Sequence, residues 1–120
     1  MANVLVIDDE PLIRQMARRI LERRGHRIIE AANGAIGLAQ LEENAVDLVL
    51  TDIMMPEKEG VETIRYIRRF YPKVKVVAMS GSDLSSFYLE VATKFGAHAA
   101  MCKPFRPDDL SEMVDRLLGG

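Results

Sequence analysis

Val4-Leu5-Val6-Ile7, Leu48-Val49-Leu50, Val76-Val77-Ala78-Met79 and Ala99-Ala100-Met101-Cys102 are short apolar runs without alternation, with stretches of helical periodicity between them. A strand that is apolar at every position is buried on both faces, as in a parallel sheet covered by helices on each side. The residue leaving each run emerges at the carboxyl end of its strand, the edge of an open α/β sheet at which ligands bind. Asp8 and Asp9 leave the first run, Asp52 follows Leu48-Val49-Leu50-Thr51, Ser80 follows Met79 and Lys103 follows Cys102. Three carboxylates crowded at one edge repel unless a cation joins them, and a hard divalent ion with oxygen ligands is the usual solution. The pattern predicts a magnesium site with one lysine beside it.

The intervening segments supply the helices. Pro11 opens the first, where its missing N–H costs nothing, and Leu12, Ile13, Met16, Ala17, Ile20 and Leu21 form an apolar stripe until Gly25. Arg14, Arg18, Arg19, Arg23 and Arg24 take the other face, which suits a solvated surface and equally the docking of an acidic or phosphorylated partner. Ile28-Ile29 is a short strand, and Asn33-Gly34 starts a helix carrying Ile36, Leu38 and Leu41 that ends near Asn44. A third strand covers 47–51. Gly60 precedes a helix with Val61, Ile64, Ile67 and Arg68, terminated by Pro72, and a fourth strand covers 74–79. Ser85 or Ser86 can cap the next helix, whose Phe87, Tyr88, Val91, Ala92 and Phe95 recur at helical spacing until Gly96. After the fifth strand, at 99–102, Pro107, Asp108 and Asp109 begin a last helix with Leu110, Met113, Val114, Leu117 and Leu118 toward the core.

Five βα units with right-handed crossovers predict an α/β fold with a doubly wound, five-stranded parallel sheet of order 2-1-3-4-5. The switch point then lies between strands one and three, which brings Asp8, Asp9 and Asp52 into one crevice. At 120 residues, with 48% apolar and 28% charged residues, the chain can bury one core of ordinary size. A net charge of −2 argues against a general nucleic-acid or anionic-membrane binder. No apolar stretch approaches the roughly 18 residues that cross a bilayer. One cysteine makes no internal disulfide, and Cys102, inside an apolar run, reads as a buried core thiol. His26 and His98 lack metal-ligand spacing and read as surface residues. A cytoplasmic location is expected.

Asp8-Asp9, then Asp52-Ile53-Met54-Met55-Pro56 with Gly60, then Ser80-Gly81, then Lys103-Pro104-Phe105, each at the end of an inferred strand, resemble the receiver domain of two-component response regulators, close to the chemotaxis regulators. The resemblance covers the whole chain and implies the flavodoxin-like (βα)5 fold. It implies that Asp52 accepts a phosphoryl group from a phosphohistidine on a sensor histidine kinase or histidine phosphotransfer protein. Mg²⁺ is implied on Asp8, Asp9, Asp52 and the backbone carbonyl of Met54, with Lys103 and Ser80 contacting the phosphoryl group. A cis bond at Lys103-Pro104, signalling to a downstream protein, and no catalysis beyond the domain's own phosphorylation and dephosphorylation are implied as well.

Two positions depart from the family pattern. Ala100 stands where the family commonly has a tyrosine or phenylalanine that rotates inward on activation, and Glu57-Lys58-Glu59 replaces an apolar residue followed by aspartate. A single receiver over residues 1–120 without an effector domain is expected, the alternative being the excised front of a larger transcription factor. The competing chemistry is a magnesium-dependent hydrolase with Asp52 as nucleophile. Such enzymes commonly place a second acid two residues on, where this chain has Met54.

Overall fold

The computed structural model describes residues 2–53, 59–81 and 85–119, the side chains of Glu59 and of residues 85–89 excepted. Ten elements alternate: β1 (Asn3–Ile7), α1 (Pro11–Glu22), β2 (Arg27–Ala31), α2 (Gly34–Glu43), β3 (Leu48–Asp52), α3 (Glu59–Phe70), β4 (Lys75–Ser80), α4 (Ser85–Lys94), β5 (Ala99–Cys102) and α5 (Pro107–Leu117). All pairings are parallel and the order is β2-β1-β3-β4-β5, as the alternation of runs and helices predicts. Asp52 and Ser80 belong to the last hydrogen-bonded positions of β3 and β4 and do not follow them, so each strand lies one residue later than expected.

Because successive strand side chains point to opposite faces, one apolar run feeds two cores. Val4 and Val6 of β1, with Leu48 and Leu50 of β3, pack against Ile13, Ala17 and Leu21 of α1 and Leu110 and Val114 of α5. Leu5, Ile7 and Val49 point the other way, toward Leu41 of α2, Ile64 and Ile67 of α3 and Ala92 of α4. This two-sided burial explains why the central strands are apolar without alternation.

The helices begin and end where local chemistry dictates. Asn33 caps α2, its side chain accepting from the Ile36 N–H at 2.9 Å. Pro11 and Pro107 occupy the first turns of α1 and α5, and Asp108 and Asp109 lie near the positive end of the α5 dipole. Beyond α1 the chain reverses through Gly25 at φ +87°, a conformation other residues rarely adopt.

Several side chains sit differently from expectation. In α1 the buried line is Ile13, Ala17 and Leu21, spaced by four residues, and Leu12 falls outside it and is exposed. In α2 the small residues face the sheet: Gly37 leaves no room for a Cβ beside the Ile7 side chain, so the backbone itself makes the contact and Ile36 turns to solvent. Phe95 lies past the end of α4 and is exposed. Phe87 and Tyr88 lie among the residues whose side chains are outside the description.

Neither histidine is the open surface residue expected. The His26 ring is only 8% exposed; its Nδ1 accepts from the Ala2 N–H at 3.2 Å and its Nε2 lies 3.5 Å from Asp115. His98 accepts from the Val76 N–H through Nδ1 at 3.0 Å, while its own N–H donates to the Val76 carbonyl. Each ring satisfies a backbone donor at or just before the start of a strand, which spacing along the sequence does not reveal.

Burial, and then the charges of Arg68 and Lys75, hold the His98 pKa below its ordinary 6.5. As pH falls, the unfolded chain takes up this proton before the folded one does, so the contribution to stability is complete above pH 6.5 and declines below it. Replacing His98 with asparagine keeps an acceptor for Val76 and removes the titration. Urea unfolding at a series of pH values should therefore decline less steeply below 6.5 in His98→Asn than in the native chain; parallel curves would exclude this origin.

Gly60 marks the tightest approach of helix to sheet. A Cβ there would lie 2.5 Å from the Asp52 carbonyl oxygen and 2.5 Å from Ile53 Cα, both backbone atoms. Gly60→Ala should cost roughly 2–3 kcal/mol, read as a lowered urea midpoint, because neither partner is a flexible side chain that can yield. A midpoint equal to that of the native chain would show that α3 withdraws from β3 freely.

Candidate functional site

The parallel register sets the carboxyl ends of β1, β3, β4 and β5 side by side, and each end delivers one polar residue. Asp8 follows β1 and is fully buried; Asp52 closes β3, also buried; Ser80 closes β4; Lys103 follows β5. The Lys103 N–H donates to the Ser80 carbonyl at 2.8 Å and the Ile53 N–H to the Met79 carbonyl at 3.0 Å, so the strand ends are tied by backbone bonds beyond the side chains they carry.

Lys103 occupies the centre. Its ammonium donates to Asp8 Oδ2 at 2.8 Å, Asp52 Oδ2 at 3.0 Å and Glu10 Oε1 at 3.1 Å, and its side chain is only 7% exposed. Burial alone would lower its pKa, but the hydrogen bonds it donates to Asp8 and Asp52, the Asp52 charge and the Glu10 contact together hold it well above the ordinary lysine value. The Asp8 carboxyl is pushed up, chiefly by burial and further by the charge of Asp52, against the lowering effect of Lys103 and of the Glu10 N–H, which donates to its Oδ1 at 2.9 Å. The Arg14 guanidinium donates to the Asp8 carbonyl at 2.7 Å, fixing the start of the following turn.

Asp8, Asp9, Glu10 and Asp52 each offer a carboxylate oxygen, and these oxygens lie within 4.8 Å of one another. Asp9 and Glu10 are open to solvent while Asp8 and Asp52 are buried, which gives the cluster a sealed floor and an accessible rim. Four carboxylates against one ammonium leave three uncompensated negative charges. An all-oxygen, anionic donor set of this kind fits a hard divalent cation and not an ion that selects thiolate or imidazole. Next to it the Ser80 hydroxyl oxygen is buried and has no hydrogen-bond partner among the described residues. A buried hydroxyl without a partner is costly in a resting structure and useful where a ligand atom completes it.

Asp8, Asp9, Asp52, Ser80 and Lys103, all selected from strand ends, are thus brought together. Met54, whose carbonyl was expected to join the metal ligands, lies outside the described residues, as do Glu57 and Lys58. Glu10 was missed, although the cue was present, since it extends the Asp8-Asp9 pair by one acid immediately before Pro11. The Lys103–Pro104 peptide is cis, as expected.

Cys102 is exposed, not a core thiol. It is the last residue of β5, an edge strand, and faces a groove of about 650 Å³ lined by Phe105, Arg106 and Met113 among others. Most of the arginines on α1 and the turn after it are engaged within the chain. Arg14 and Arg18 both pair with Glu30 of β2, at 3.1 and 2.7 Å, and Arg24 pairs with Asp115 of α5. Arg19 and Arg23 make no ion pair with a described residue and line a groove between α1 and α5 with Met16 and Ser111. Ala100 lies partly buried on the face that packs toward α2, α3 and α4.

Comparison with known proteins agrees with the fold. Residues 4–115 match the response regulator receiver domain family. Chemotaxis protein CheY of Bacillus subtilis is 30% identical over 117 residues, covering 97% of each chain. Sensor kinase CckA of Brucella abortus is 35% identical over 98% of this chain, which spans 12% of that much longer protein. The crystal structure of the receiver domain of NtrX from Brucella abortus superposes with a TM-score of 0.90 at 31% identity, covering 96% of this chain and 97% of that one.

Removing the central cation should expose the repulsion it offsets. Lys103→Met leaves Asp8 and Asp52 buried without their ammonium and should lower stability by about 3 kcal/mol at neutral pH, with part recovered when a divalent cation is added. Calorimetric unfolding with and without the cation measures both effects; a native midpoint in the variant would mean that the ammonium is not what holds these carboxylates together.

Proposed function

We propose that in this chain, which belongs to the family of response regulator receiver domains, Asp52 is the residue that accepts the phosphoryl group. The observation that carries this reading is the convergence on Asp52 of the Lys103 ammonium at 3.0 Å and a cluster of neighbouring carboxylates, with the unpartnered Ser80 hydroxyl at the end of the adjacent strand. Asp52 is the buried carboxylate that closes a central strand, and it is flanked by the ends of β1 and β4.

Phosphoryl transfer asks little covalent work of a protein; it needs an in-line nucleophile and fixed charges around the moving group. An Asp52 Oδ attacks phosphorus as the bond from phosphorus to the donor's imidazole nitrogen breaks, and the electron pair stays with that nitrogen. Lys103, already within hydrogen-bond distance of Asp52, turns its ammonium to an oxygen of the new acyl phosphate. Ser80 donates its hydroxyl to another, which satisfies the atom left without a partner. Water attack on the acyl phosphate returns the carboxylate, so the modification expires with time. The residues suited to hold Mg²⁺ are Asp8, Asp9 and Asp52, with the Met54 carbonyl as the family resemblance implies. When bound, the ion supplies positive charge against the transferring oxygens.

The donor in this reading is a sensor histidine kinase or a histidine phosphotransfer protein, with Arg19 and Arg23 left to steer it, and the receiver signals to a downstream protein partner from the cytoplasm. Residues 1–120 act as one receiver unit that turns over no substrate beyond its own phosphoryl group. No helix of the described residues is long and apolar enough to cross a membrane. The hydrolase alternative is not favoured, since the position two residues after Asp52 is Met54.

Incubation with acetyl phosphate and Mg²⁺ should add one acid-labile phosphoryl group, seen by intact mass, and Asp52→Asn should abolish it. Asp9→Ala should weaken Mg²⁺ binding about tenfold or more, with a smaller loss in Asp8→Ala. Full labelling of Asp52→Asn would overturn the acceptor assignment, and native Mg²⁺ affinity in both alanine variants would overturn the metal site.

A further inference from the structure

The outward face of α3 is unlike the solvent face of an ordinary surface helix. Gly60, Thr63, Ile64 and Ile67 are buried against the sheet. Opposite them, Glu62, Arg65, Tyr66, Arg69 and Phe70 recur at the spacing of one helical stripe and line a shallow groove of about 350 Å³. Polar residues are expected on such a stripe. Instead Tyr66 is 38% exposed and Phe70 56% exposed, their ring centroids 4.6 Å apart and their planes tilted by 43°.

The arginines of this stripe are held by rings and not by acids. The Arg69 guanidinium lies 5.3 Å from the centre of Phe70, and that of Arg65 lies 5.4 Å from the centre of Phe95, itself exposed at the end of α4. Neither forms an ion pair with a described residue. On α1 and the turn after it, by contrast, Arg14, Arg18 and Arg24 are neutralised by Glu30, Glu22 and Asp115. A guanidinium resting on an aromatic face loses little further freedom when it meets a carboxylate, and it keeps its outward N–H groups available. Arginine and exposed aromatics are also the residue types over-represented where protein partners bind tightly.

We propose that this face of α3 is a docking surface for an acidic segment of a partner protein that carries an aromatic or large apolar anchor. The charge complementarity is local: the stripe presents two arginines that pair with no described acid, against the single acid Glu62, on a chain whose overall charge is −2. Glutamates and aspartates of the partner meet Arg65 and Arg69, and its anchor covers the tilted Tyr66–Phe70 pair. The surface stands independently of the phosphoacceptor assignment. Its helix nevertheless begins on the acceptor strand, because Gly60 abuts the Asp52 and Ile53 backbone.

The test uses the full chain, labelled for amide-shift mapping, and a short synthetic peptide of aspartates and glutamates around one tryptophan. A lysine-substituted copy of the peptide and a single-stranded oligothymidylate serve as comparisons. Shifts should concentrate on residues 62–70 and around Phe95 with the acidic peptide and be absent with the lysine copy. Arg65→Glu/Arg69→Glu should weaken binding about tenfold or more, and Phe70→Ala should weaken it severalfold. Both variants should retain full labelling of Asp52 by acetyl phosphate, which separates loss of docking from loss of fold. Shifts centred on Arg19 and Arg23, unchanged affinity in the double variant, tighter binding of oligothymidylate at α3, or burial of α3 by self-association of the chain alone would each overturn the proposal.

Discussion

Like charges crowded at the carboxyl edge of a parallel sheet are the constraint on which this molecule turns. Asp8 is fully buried and Asp52 nearly so, yet each lies within hydrogen-bond distance of a single ammonium, that of Lys103. Everything that positions Lys103 therefore positions the site: β5 at the edge of the sheet, the backbone bond from Lys103 to Ser80, and Phe105 anchored in the core just beyond the cis peptide. The ammonium offsets only part of the negative charge. A site left anionic in this way is stabilised by whatever positive charge arrives, and its occupancy and its stability are linked quantities.

The parts of this arrangement legible in the sequence were those dictated by local repetition. Two-sided burial forces unbroken apolar strands, so β1, β3 and β4 announced themselves, and the residue at each strand end followed from the same reading. What escaped depended on neighbours distant in sequence. Cys102 shares its apolar run with Met101, but only Met101 points into a core; the end of an edge strand leaves the next residue uncovered. His26 is buried because the chain's second residue and Asp115 close over it, contacts spanning 24 and 89 positions. Glu10 was legible as a helix-entry acid, and its reach to Lys103 across 93 positions was not.

The distribution of arginine charge could not have been read from composition either. The α1 arginines form the denser cluster in sequence, but β2 and α5 supply acids that occupy three of them. α3 carries three arginines, against five on α1 and the turn after it, and no described acid meets Arg65 or Arg69. Aromatic rings support them instead. A count of arginines, five on and just after α1 against three on α3, thus ranks the two surfaces in the opposite order from a count of those that no described acid meets, Arg19 and Arg23 against Arg65, Arg68 and Arg69, since pairing within the chain already satisfies most of the first set.

The asymmetry of the two cores carries a mechanical consequence. On the α1–α5 side the helices insert Ile13, Leu21, Leu110 and Val114, branched side chains that interlock with the strands. On the other side α2 and α3 insert Leu41, Ile64 and Ile67, and among the described side chains of α4 Ala92 is the buried one, in the same cluster as Ala78 and the partly buried Ala100. Methyl groups make shallow ridges, and a helix resting on them meets little steric resistance to sliding, because no side chain has to leave a socket before the next position is reached. Where Ala92 shares a cluster with Ala78 and Ala100, α4 therefore meets the sheet through methyl groups, and that contact resists sliding less than the interlocked one between α1 and the sheet.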